Sequence, residues 1–348
     1  MSRNGNVALV VTSIAAPNPV LRALSLGCSA QGIDFIVIGD EASPAGFSLA
    51  GCRFYDLDAQ RSLGFRFADA CPTRHYARKN IGYLVAMGAG ATTIIETDDD
   101  NMPVAGYWDQ RVRTHRVPVA VDAGWLNVYR YFTDVDIWPR GLPLDSVRAA
   151  APPFESLDVG EVDCPIQQGL ADENPDVDAV YRLTLPLPQS FRPDRRVALG
   201  RRSWSPFNSQ NTTWWEDAYP LLYLPAHCSF RVTDIWRSFV AQRIGWENGW
   251  SVLFHEATVI QDRNEHDLMR DFADEIPGYL HNDAIRGALE DLSLKPGIEH
   301  IADNLRQCYE QLVRMDLVGE GEIALLDAWL ADLATIAATP TPTGTPTD

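Results

Sequence analysis

The first forty residues combine two apolar runs with one helical stripe. Val7–Thr12 (VALVVT) and residues 34–40 (DFIVIGD) are continuous, β-branched apolar runs, which is typical of strands buried on both faces of a parallel sheet. Between them, Leu21, Leu24 and Cys28 recur at helical spacing. The order strand, helix, strand predicts a βαβ unit with a right-handed crossover.

A second helix–strand step follows and ends in a cluster of acids. Residues 77–88 carry an apolar helical stripe, and residues 92–97 (TTIIET) are predicted to form a short buried strand that ends in DDDN, residues 98–101. Side chains alternate between the two faces of an extended segment, so Asp98 and Asp100 are predicted to point one way and Asp99 the other. Ligands of open α/β sheets bind at the carboxyl ends of strands, which makes this acidic end a candidate site.

The rest of the chain has a weaker pattern. Pro and Gly are frequent in its middle part, where residues 119–122 and 179–185 resemble strands. We predict a helix over 234–246 and a strand over 253–260. The remaining residues are predicted to be helical up to the low-complexity end TPTPTGTPTD, which we expect to be disordered.

Composition narrows the class of protein. The 348 residues are 46% hydrophobic and 10% aromatic, which is globular. The net charge of −18 disfavours nucleic acid and anionic lipid as partners. No segment reaches the roughly twenty apolar residues that span a membrane, and the apolar run near the N-terminus fits a first strand better than a signal peptide. The six cysteines form no CxxC pair. We therefore expect a soluble, cytoplasmic protein.

The acidic run is the first candidate for chemistry. Two carboxylates a few Å apart repel each other unless a cation lies between them, and hard oxygen ligands suit Mg²⁺ or Mn²⁺ held together with a substrate diphosphate. The alternative is an acidic, solvated turn. Arg78 and Lys79 occupy the first turn of the preceding helix, where the helix macrodipole favours acids. An anionic ligand would explain two cations there, and plain exposure is the alternative.

Seven stretches, in order between about residues 6 and 280, resemble one family. They are VALVVTSIAAPNPVLRALS, DFIVIGDEASP, RHYARKNIGYLVAMGAGATTIIETDDDN, QGLADENPDVDAVYRLT, WSPFNSQNTTWWEDAYPLLYLP, FRVTDIWRSFVAQRIGW and VIQDRNEHDL. Together they are similar to the STELLO-type glycosyltransferases, plant Golgi proteins tied to cellulose synthesis and their soluble bacterial relatives. The DDDN run departs from the Asp-Asp-x-Gly form expected of the plant members. The aspartate cluster also resembles, more distantly, the reversibly glycosylated polypeptides, which are UDP-arabinopyranose mutases.

The resemblance implies an α/β fold of the GT-A type, a nucleotide-diphospho-sugar transferase fold with a mostly parallel central sheet flanked by helices. We expect residues 1–280 to form this domain, with a nucleotide-binding half at 6–101 and an acceptor-side half at 102–280. A helical C-terminal extension is expected over 281–337 and a disordered tail over 338–348. The trailing helices lie outside the resemblance, so dimerisation, an acceptor-binding lid and packing against the sheet all stay open for them.

The implied activity is metal-dependent transfer of a sugar from a nucleoside-diphosphate sugar, most readily a UDP-linked one. The acceptor would be a hydroxyl group of an unidentified glycan or small molecule, and the cofactor Mn²⁺ or Mg²⁺. Two alternatives stay open, a UDP-sugar mutase of the reversibly glycosylated type and a non-catalytic sugar-nucleotide-binding scaffold. Assembly into a homo-oligomer is also left open.

The resemblance also implies a binding set. Asp98 and Asp100 would ligate the metal, and His266, in the block VIQDRNEHDL, would be a third ligand from a C-terminal loop, although a lone histidine is more often structural. The nucleotide is expected to contact residues at the strand ends and the helix start, namely Thr12, Ser13, Asp40, Arg78, Lys79, Asp98 and Asp99.

Catalysis needs a base for the acceptor hydroxyl. The stretch TDIWRSFVAQRIGW loosely resembles the acid and Q-x-x-R-W helix of processive inverting glycosyltransferases, so we predict Asp234 as the base, with Glu247 in reserve. The alternative for Asp234 is a helix N-cap. Asp176 and Asp178 form a second pair of acids before a predicted strand, and the amide-rich residues 205–213 (SPFNSQNTT) suit sugar hydroxyls.

Overall fold

The computed structural model describes residues 6–262 and 267–339. The predicted ligand His266 and most of the predicted tail, residues 340–348, lie outside this range. The strands are β1 Val7–Thr12, β2 Asp34–Ile38, β3 Arg53–Tyr55, β4 Thr93–Thr97, β5 Asn101–Pro103, β6 Thr114–Ala120, β7 Gly124–Trp125, β8 Asp158–Asp163, β9 Ile166–Asp172, β10 Arg196–Leu199, β11 Ser203–Trp204, β12 Asn211–Trp215 and β13 Val252–Gln261. The helices are α1 Pro19–Gln31, α2 Leu57–Arg61, α3 Arg66–Ala70, α4 Lys79–Gly88, α5 Ala179–Thr184, α6 Thr233–Glu247, α7 Leu268–Glu290, α8 Ile301–Arg314 and α9 Gly321–Ala338.

One large sheet forms the centre of the described part of the chain. Its strand order is β3-β2-β1-β4-β12-β9-β13-β10-β6-β8, with β5 paired to β13. The four strands β3, β2, β1 and β4 are parallel, but β12 is antiparallel to both of its neighbours, and β10–β13 and β6–β8 are antiparallel pairs. The sheet is therefore mixed, and the prediction of a mostly parallel sheet holds only for the first half. Continuous apolar runs, the mark of doubly covered parallel strands, are concentrated in that half.

The first half of the sheet has the predicted βαβ pattern. Its strand β1 is covered by a helix on each face. Leu9 and Val11 pack with α1 on one face, whereas Val10 packs with α4 on the other, next to Ile81 and Leu84. Alternation along a strand sends successive side chains to opposite faces, so a strand between two helices must be apolar throughout.

Residues 179–185 were predicted to form a strand, but Ala179–Thr184 form the helix α5. Asp178 caps the N-terminus of α5, where its side chain accepts a 2.8 Å hydrogen bond from the backbone N–H of Tyr181. The β-rich composition of the segment favoured a strand, but the cap and the packing of α5 against α7 decide for a helix. Tertiary contacts often override weak local propensity in this way.

Helix α6 is buried from Thr233 to Gly245, and an ion pair ties it to the sheet. Arg237 of α6 donates two hydrogen bonds to Glu96 of β4, at 2.8 and 3.0 Å. The two side chains are 1% and 0% exposed. Trp214 donates its indole N–H to Glu96 at 2.8 Å, and Tyr83 donates its hydroxyl to the same carboxylate. These contacts hold the strand that carries the aspartate run against the helix that carries Asp234.

The C-terminal helices belong to the main core. Helix α7 runs without a break across residue 280, where a domain boundary was predicted. Asp332 of α9 accepts hydrogen bonds from the backbone N–H groups of Arg66 and Phe67 at the start of α3, at 3.0 and 2.8 Å. Trp329 is fully buried in the main cluster. Of the roles left open for these helices, packing against the sheet was one, but the packing observed for α8 and α9 is against the helices α3, α4 and α6.

Across the described ranges, no helix is both long and apolar enough to cross a membrane. All six cysteines are free thiols.

Replacing Glu96 with Gln should lower the free energy of unfolding by about 3–5 kcal/mol, because it leaves the charge of Arg237 buried without a counterion. Chemical denaturation followed by tryptophan fluorescence would measure this. Glu256→Gln is the control, since its partner Arg196 is 47% exposed and an exposed pair contributes about 0–1 kcal/mol. Equal losses in the two variants would contradict the role given to the buried pair.

Candidate active site: a two-part cleft at the strand ends

Two joined cavities open at the carboxyl ends of β1, β2 and β4. The first encloses about 620 Å³ between the ends of β1 and β2 and the segment before α4. The second, of about 270 Å³, extends from the aspartate run to the start of α6. Thr12, Tyr76, Asp99 and Phe230 line both cavities. The ends of three adjacent parallel strands meet here, which is the ligand position general to open α/β sheets.

The aspartates do not alternate as predicted. Strand β4 ends at Thr97 and residues 98–100 form a turn, so the rule for extended backbone stops before the first acid. Asp98, Asp99 and Asp100 all line the second cavity, and Asp99 also lines the first. The prediction that Asp99 faces away from the other two is wrong.

Asp99 is held at the junction of the cavities by the loop after β1. Ser13 donates its hydroxyl to the Asp99 carboxylate, and Asn18 donates its side-chain N–H to the Asp99 backbone carbonyl at 2.8 Å. Thr12 and Ser13 both line the first cavity. The structure therefore brings three of the residues predicted to contact the nucleotide to one wall.

Asp40 also lines the first cavity and shapes its loop. Its carboxylate accepts hydrogen bonds from the backbone N–H groups of Glu41 and His75, at 2.7 and 3.0 Å. The loop after β2 is thereby tied to the segment before α4. Next to it lie Tyr76 and Phe230, whose rings meet edge to face with centroids 4.6 Å apart. Phe230 is 48% exposed.

Both predicted cations at the start of α4 are buried and have protein partners. Arg78 donates to the side-chain carbonyl of Gln60 at 2.8 and 2.6 Å and to the backbone carbonyl of Cys71 at 2.8 Å. The Lys79 ammonium donates to the carbonyls of Thr97 and Ser209, at 3.0 and 3.2 Å, and to Asp98 at 2.7 Å. An anionic ligand is therefore not needed to explain their position, contrary to the macrodipole argument, and neither cation is exposed.

The surroundings of Asp98 disfavour its charged form and raise its pKa. Burial raises the pKa of Asp98, Lys79 opposes that rise, and the nearby charges of Asp99 and Asp234 add to it. A second cation near Asp98 would relieve this repulsion.

Asp234 reaches the second cavity from the first turn of α6, three residues before Arg237. Its side chain makes no cap hydrogen bond, since α6 begins at Thr233, so the N-cap alternative is wrong. Both carboxylate oxygens accept hydrogen bonds from Arg140, at 3.1 and 3.0 Å. Arg140 also pairs with Asp176, at 2.8 and 2.9 Å. Burial would raise the pKa of Asp176, but the charge of Arg140 outweighs it and lowers the pKa to about 2.

Other predicted residues lie elsewhere. Glu247 is at the far end of α6, thirteen residues after Asp234 and so about 20 Å along the helix axis. There its carboxylate accepts a 2.6 Å hydrogen bond from Arg243. The structure thus separates Glu247 from the cleft, and we do not retain it as a base. Asp178 caps α5, and burial raises its pKa to about 6.

Sequence reasoning missed Arg140, Tyr76, Phe230 and Arg231, which all line the second cavity. Arg140 lies in an irregular Pro-rich segment, and isolated aromatics have no periodic signal. The amide-rich loop was a better guide, since Asn208, Ser209 and Gln210 line the same cavity.

The aspartate turn meets only the smaller of two possible requirements for binding a divalent cation. Within residues 6–262 and 267–339, no group of three or more His, Cys, Asp or Glu side chains is arranged to hold a metal ion. Mg²⁺ nevertheless binds through one or two carboxylates together with phosphate oxygens and water. The aspartate turn, with its oxygen donors and the repulsion at Asp98, meets that smaller requirement.

Comparison with known proteins finds relatives of this chain. Residues 231–340 match the family model described as STELLO glycosyltransferases. Two Arabidopsis thaliana proteins, named probable glycosyltransferase STELLO2 and probable glycosyltransferase STELLO1, are each 31% identical to this chain over 273 and 272 residues, or 72% of it. The chain spans about a third of their length, 35% and 34% respectively. A solved structure titled as that of a mycobacterial protein has a TM-score of 0.39 and 11% identity over 80% of this chain and 74% of its own, which is too distant to support an argument.

The chain that gives these matches folds into a mixed sheet flanked by helices, with an acidic cleft at the ends of its strands. Over the matched residues the chain is similar to the STELLO glycosyltransferases, which confirms the resemblance seen in the sequence. The enzyme class in the names of both relatives is the one predicted here. The matched segment includes α7, α8 and α9, so the trailing helices are part of the likeness and not outside it.

Acidification should destabilise the fold through His75. Burial lowers the pKa of His75 to about 4, with help from His227 and against Asp40, and its Nδ1 accepts the N–H of Ala77. An unfolded histidine has a pKa near 6.5. Between about pH 6.5 and 4 the unfolded chain therefore binds a proton that the folded chain does not, so the free energy of unfolding falls as the pH falls.

Urea unfolding at pH 7 and pH 5.5 would measure this loss, which should be on the order of 1 kcal/mol from His75. His75→Asn keeps an acceptor for Ala77 but does not titrate, so the variant should lose less stability over the same interval. An identical loss in wild type and variant would refute the assignment.

Proposed function

We propose that this protein is a metal-dependent glycosyltransferase of the GT-A type, which uses a nucleoside-diphosphate sugar, most readily UDP-linked, and a hydroxyl acceptor. The observation that carries the proposal is the two-part cleft. A cavity large enough for a small-molecule ligand is joined, at an aspartate turn, to a smaller polar cavity. A sugar nucleotide has the same two-part form, with a base and ribose on one side of the diphosphate and a sugar on the other.

The first cavity would take the base and ribose. Tyr76 and Phe230 offer aromatic surface, and Thr12, Ser13 and Asp40 line the remaining wall. Asp99 is shared by both cavities, so the diphosphate would pass beside it. The second cavity would then hold the transferred sugar and the acceptor hydroxyl.

The lysine and arginine side chains at the cleft are already bonded to protein groups, which supports metal dependence. Each of the three Lys79 N–H donors already has an acceptor, and Arg231 is paired with Glu275 at 2.7 Å. Arg78 and Arg140 are likewise bonded to protein groups. A departing diphosphate would find few uncommitted positive charges on the cleft walls. Bound Mg²⁺ or Mn²⁺ would supply the missing charge and stabilise the leaving group.

Asp98 and Asp100 are the residues we propose to hold this cation, with Asp99 nearer the nucleotide. Lys79 would orient Asp98 through their 2.7 Å contact. His266 stays a predicted third ligand outside the described residues.

Asp234 is the group we propose for the acceptor proton. The acceptor oxygen forms a bond to the anomeric carbon of the sugar while the bond from that carbon to the diphosphate oxygen breaks. The bonding pair leaves with the diphosphate, and the hydroxyl proton passes to the Asp234 carboxylate. The position of Asp234 in the same cavity as the aspartate turn supports this role.

Replacing both Asp98 and Asp100 with Asn should abolish the part of UDP affinity that depends on Mn²⁺, a loss of about tenfold or more, equal to about 1.4 kcal/mol. Calorimetric titration with UDP, with and without Mn²⁺, measures it. Asp158→Asn on the exposed strand β8 is the control. Unchanged Mn²⁺-dependent binding in the double variant would rule out the metal assignment and favour a binding scaffold without these ligands.

Asp234→Asn should slow turnover by about 10²–10⁴-fold, the usual contribution of a general base, while UDP affinity stays within about twofold. Initial rates with a panel of UDP-, GDP- and dTDP-sugars and Mn²⁺ provide the measurement. A variant with near wild-type turnover would contradict the role of Asp234. Interconversion of the donor's ring forms without an acceptor would instead indicate a mutase.

A further inference from the structure

The guanidinium of Arg140 has no hydrogen-bond donor left for a ligand. A guanidinium carries five N–H groups. Nε and Nη2 donate to the two carboxylate oxygens of Asp176, at 2.8 and 2.9 Å. Nη1 and Nη2 donate to those of Asp234, at 3.1 and 3.0 Å, and the second Nη1 hydrogen goes to the backbone carbonyl of Arg231. An arginine in a cleft that takes a diphosphate would ordinarily be assigned to phosphate, but this one is saturated.

The two aspartates keep acceptor capacity toward the cavity. Each carboxylate offers about four lone-pair positions. Asp176 uses two for Arg140 and one for the side-chain N–H of Asn208, at 2.8 Å. Asp234 uses two for Arg140 and one for the backbone N–H of Ser209, at 3.3 Å. Both side chains line the second cavity, and hydroxyl groups are the donors that an ionised carboxylate accepts there.

The two aspartates differ in their distance from the aspartate turn. Ser209 donates its N–H to Asp234 and accepts from Lys79, which in turn donates to Asp98. Two residues, Ser209 and Lys79, thus link Asp234 to the proposed metal ligand Asp98, and the charge of Asp234 helps to raise the pKa of Asp98. Asp176 is bonded to Arg140 and Asn208 instead, so in the proposed complex Asp234 would be the one nearer the diphosphate.

We infer that Arg140 is a positioning residue, which holds Asp176 as a hydrogen-bond acceptor for the hydroxyl groups of the transferred sugar and Asp234 at the reacting centre. This inference rests on the proposed function, because it needs a sugar nucleotide in the cleft. It assigns Asp176, and not Arg140, to substrate recognition. It also separates sugar recognition, at Asp176, from diphosphate binding, at the aspartate turn.

The chain contains a matched control for this arrangement. Arg113 also lies between two aspartates, with bonds to Asp163 at 2.6 and 2.7 Å and a further bond to Asp217. It lines neither cavity of the cleft. Arg113→Lys therefore disturbs the same kind of ion pair at a place without substrate.

The test compares UDP with UDP-sugars in the presence of Mn²⁺, using calorimetry for affinity and initial rates for the kcat and KM of the best donor. Asp176→Asn should weaken binding of the UDP-sugar about tenfold or more and leave UDP affinity within about twofold. Asp176→Glu, which keeps the charge but displaces it, should show the same split. Arg140→Lys cannot reproduce two bidentate pairs, so it should lower kcat about tenfold or more with UDP affinity retained. Arg113→Lys should change none of these values.

Retained UDP binding shows that each variant is folded, and it separates the two levels of the proposal. If Arg140→Lys or Asp176→Asn weakened UDP and the UDP-sugar equally, the Arg140–Asp176 pair would serve diphosphate binding and the inference would fall. Unchanged affinity and turnover in both variants would also overturn the inference, because Arg140 and Asp176 would then form a purely structural pair. If wild-type protein bound no nucleoside diphosphate or nucleotide sugar, the proposed function itself would fail, and the inference with it.

Discussion

The buried ion pair between Glu96 and Arg237 is the contact on which the cleft depends. Glu96 lies two residues before Asp98 on β4, and Arg237 lies three residues after Asp234 on α6. The pair is excluded from water and is braced by Trp214 and Tyr83. A buried pair of this kind has one favourable geometry, because any separation would leave an uncompensated charge. The pair therefore sets the distance between Asp98 and Asp234, the two acids that must line the same cavity for the proposed reaction.

The charged side chains of the cleft are also held by bonds to one another. Lys79 and Arg140 are both saturated by protein acceptors, and each holds an acid in place instead of offering itself to an anion. The aspartates outnumber the cations that face them, so the second cavity stays acidic. Such a cavity suits a divalent cation and sugar hydroxyls, and it suits free phosphate poorly unless a metal accompanies it.

Parts of the site were predictable from local sequence. The aspartate run stood at the end of a buried strand, and Asp234 at the start of a helix, and both lie in the cleft. The predicted alternation of the aspartates failed, since β4 ends at Thr97 and extended geometry is required for alternation. Arg78 and Lys79 were predicted to contact a ligand, and Arg78 does line the first cavity, but their hydrogen bonds to Gln60 and Ser209 were not predictable because these partners are remote in sequence. A local pattern carries no information on such contacts.

The sequence by itself determined the βαβ start, the acidic strand end and the family likeness, because all of them lie in contiguous residues whose periodicity or order can be compared directly. Only the tertiary structure decided that the sheet is mixed, that α9 caps α3, and that Arg140 joins Asp176 to Asp234. These features depend on pairs of residues separated by 36 to more than 260 positions in the chain. Which distant partner satisfies a buried charge is decided by packing, and packing is a property of the folded chain as a whole.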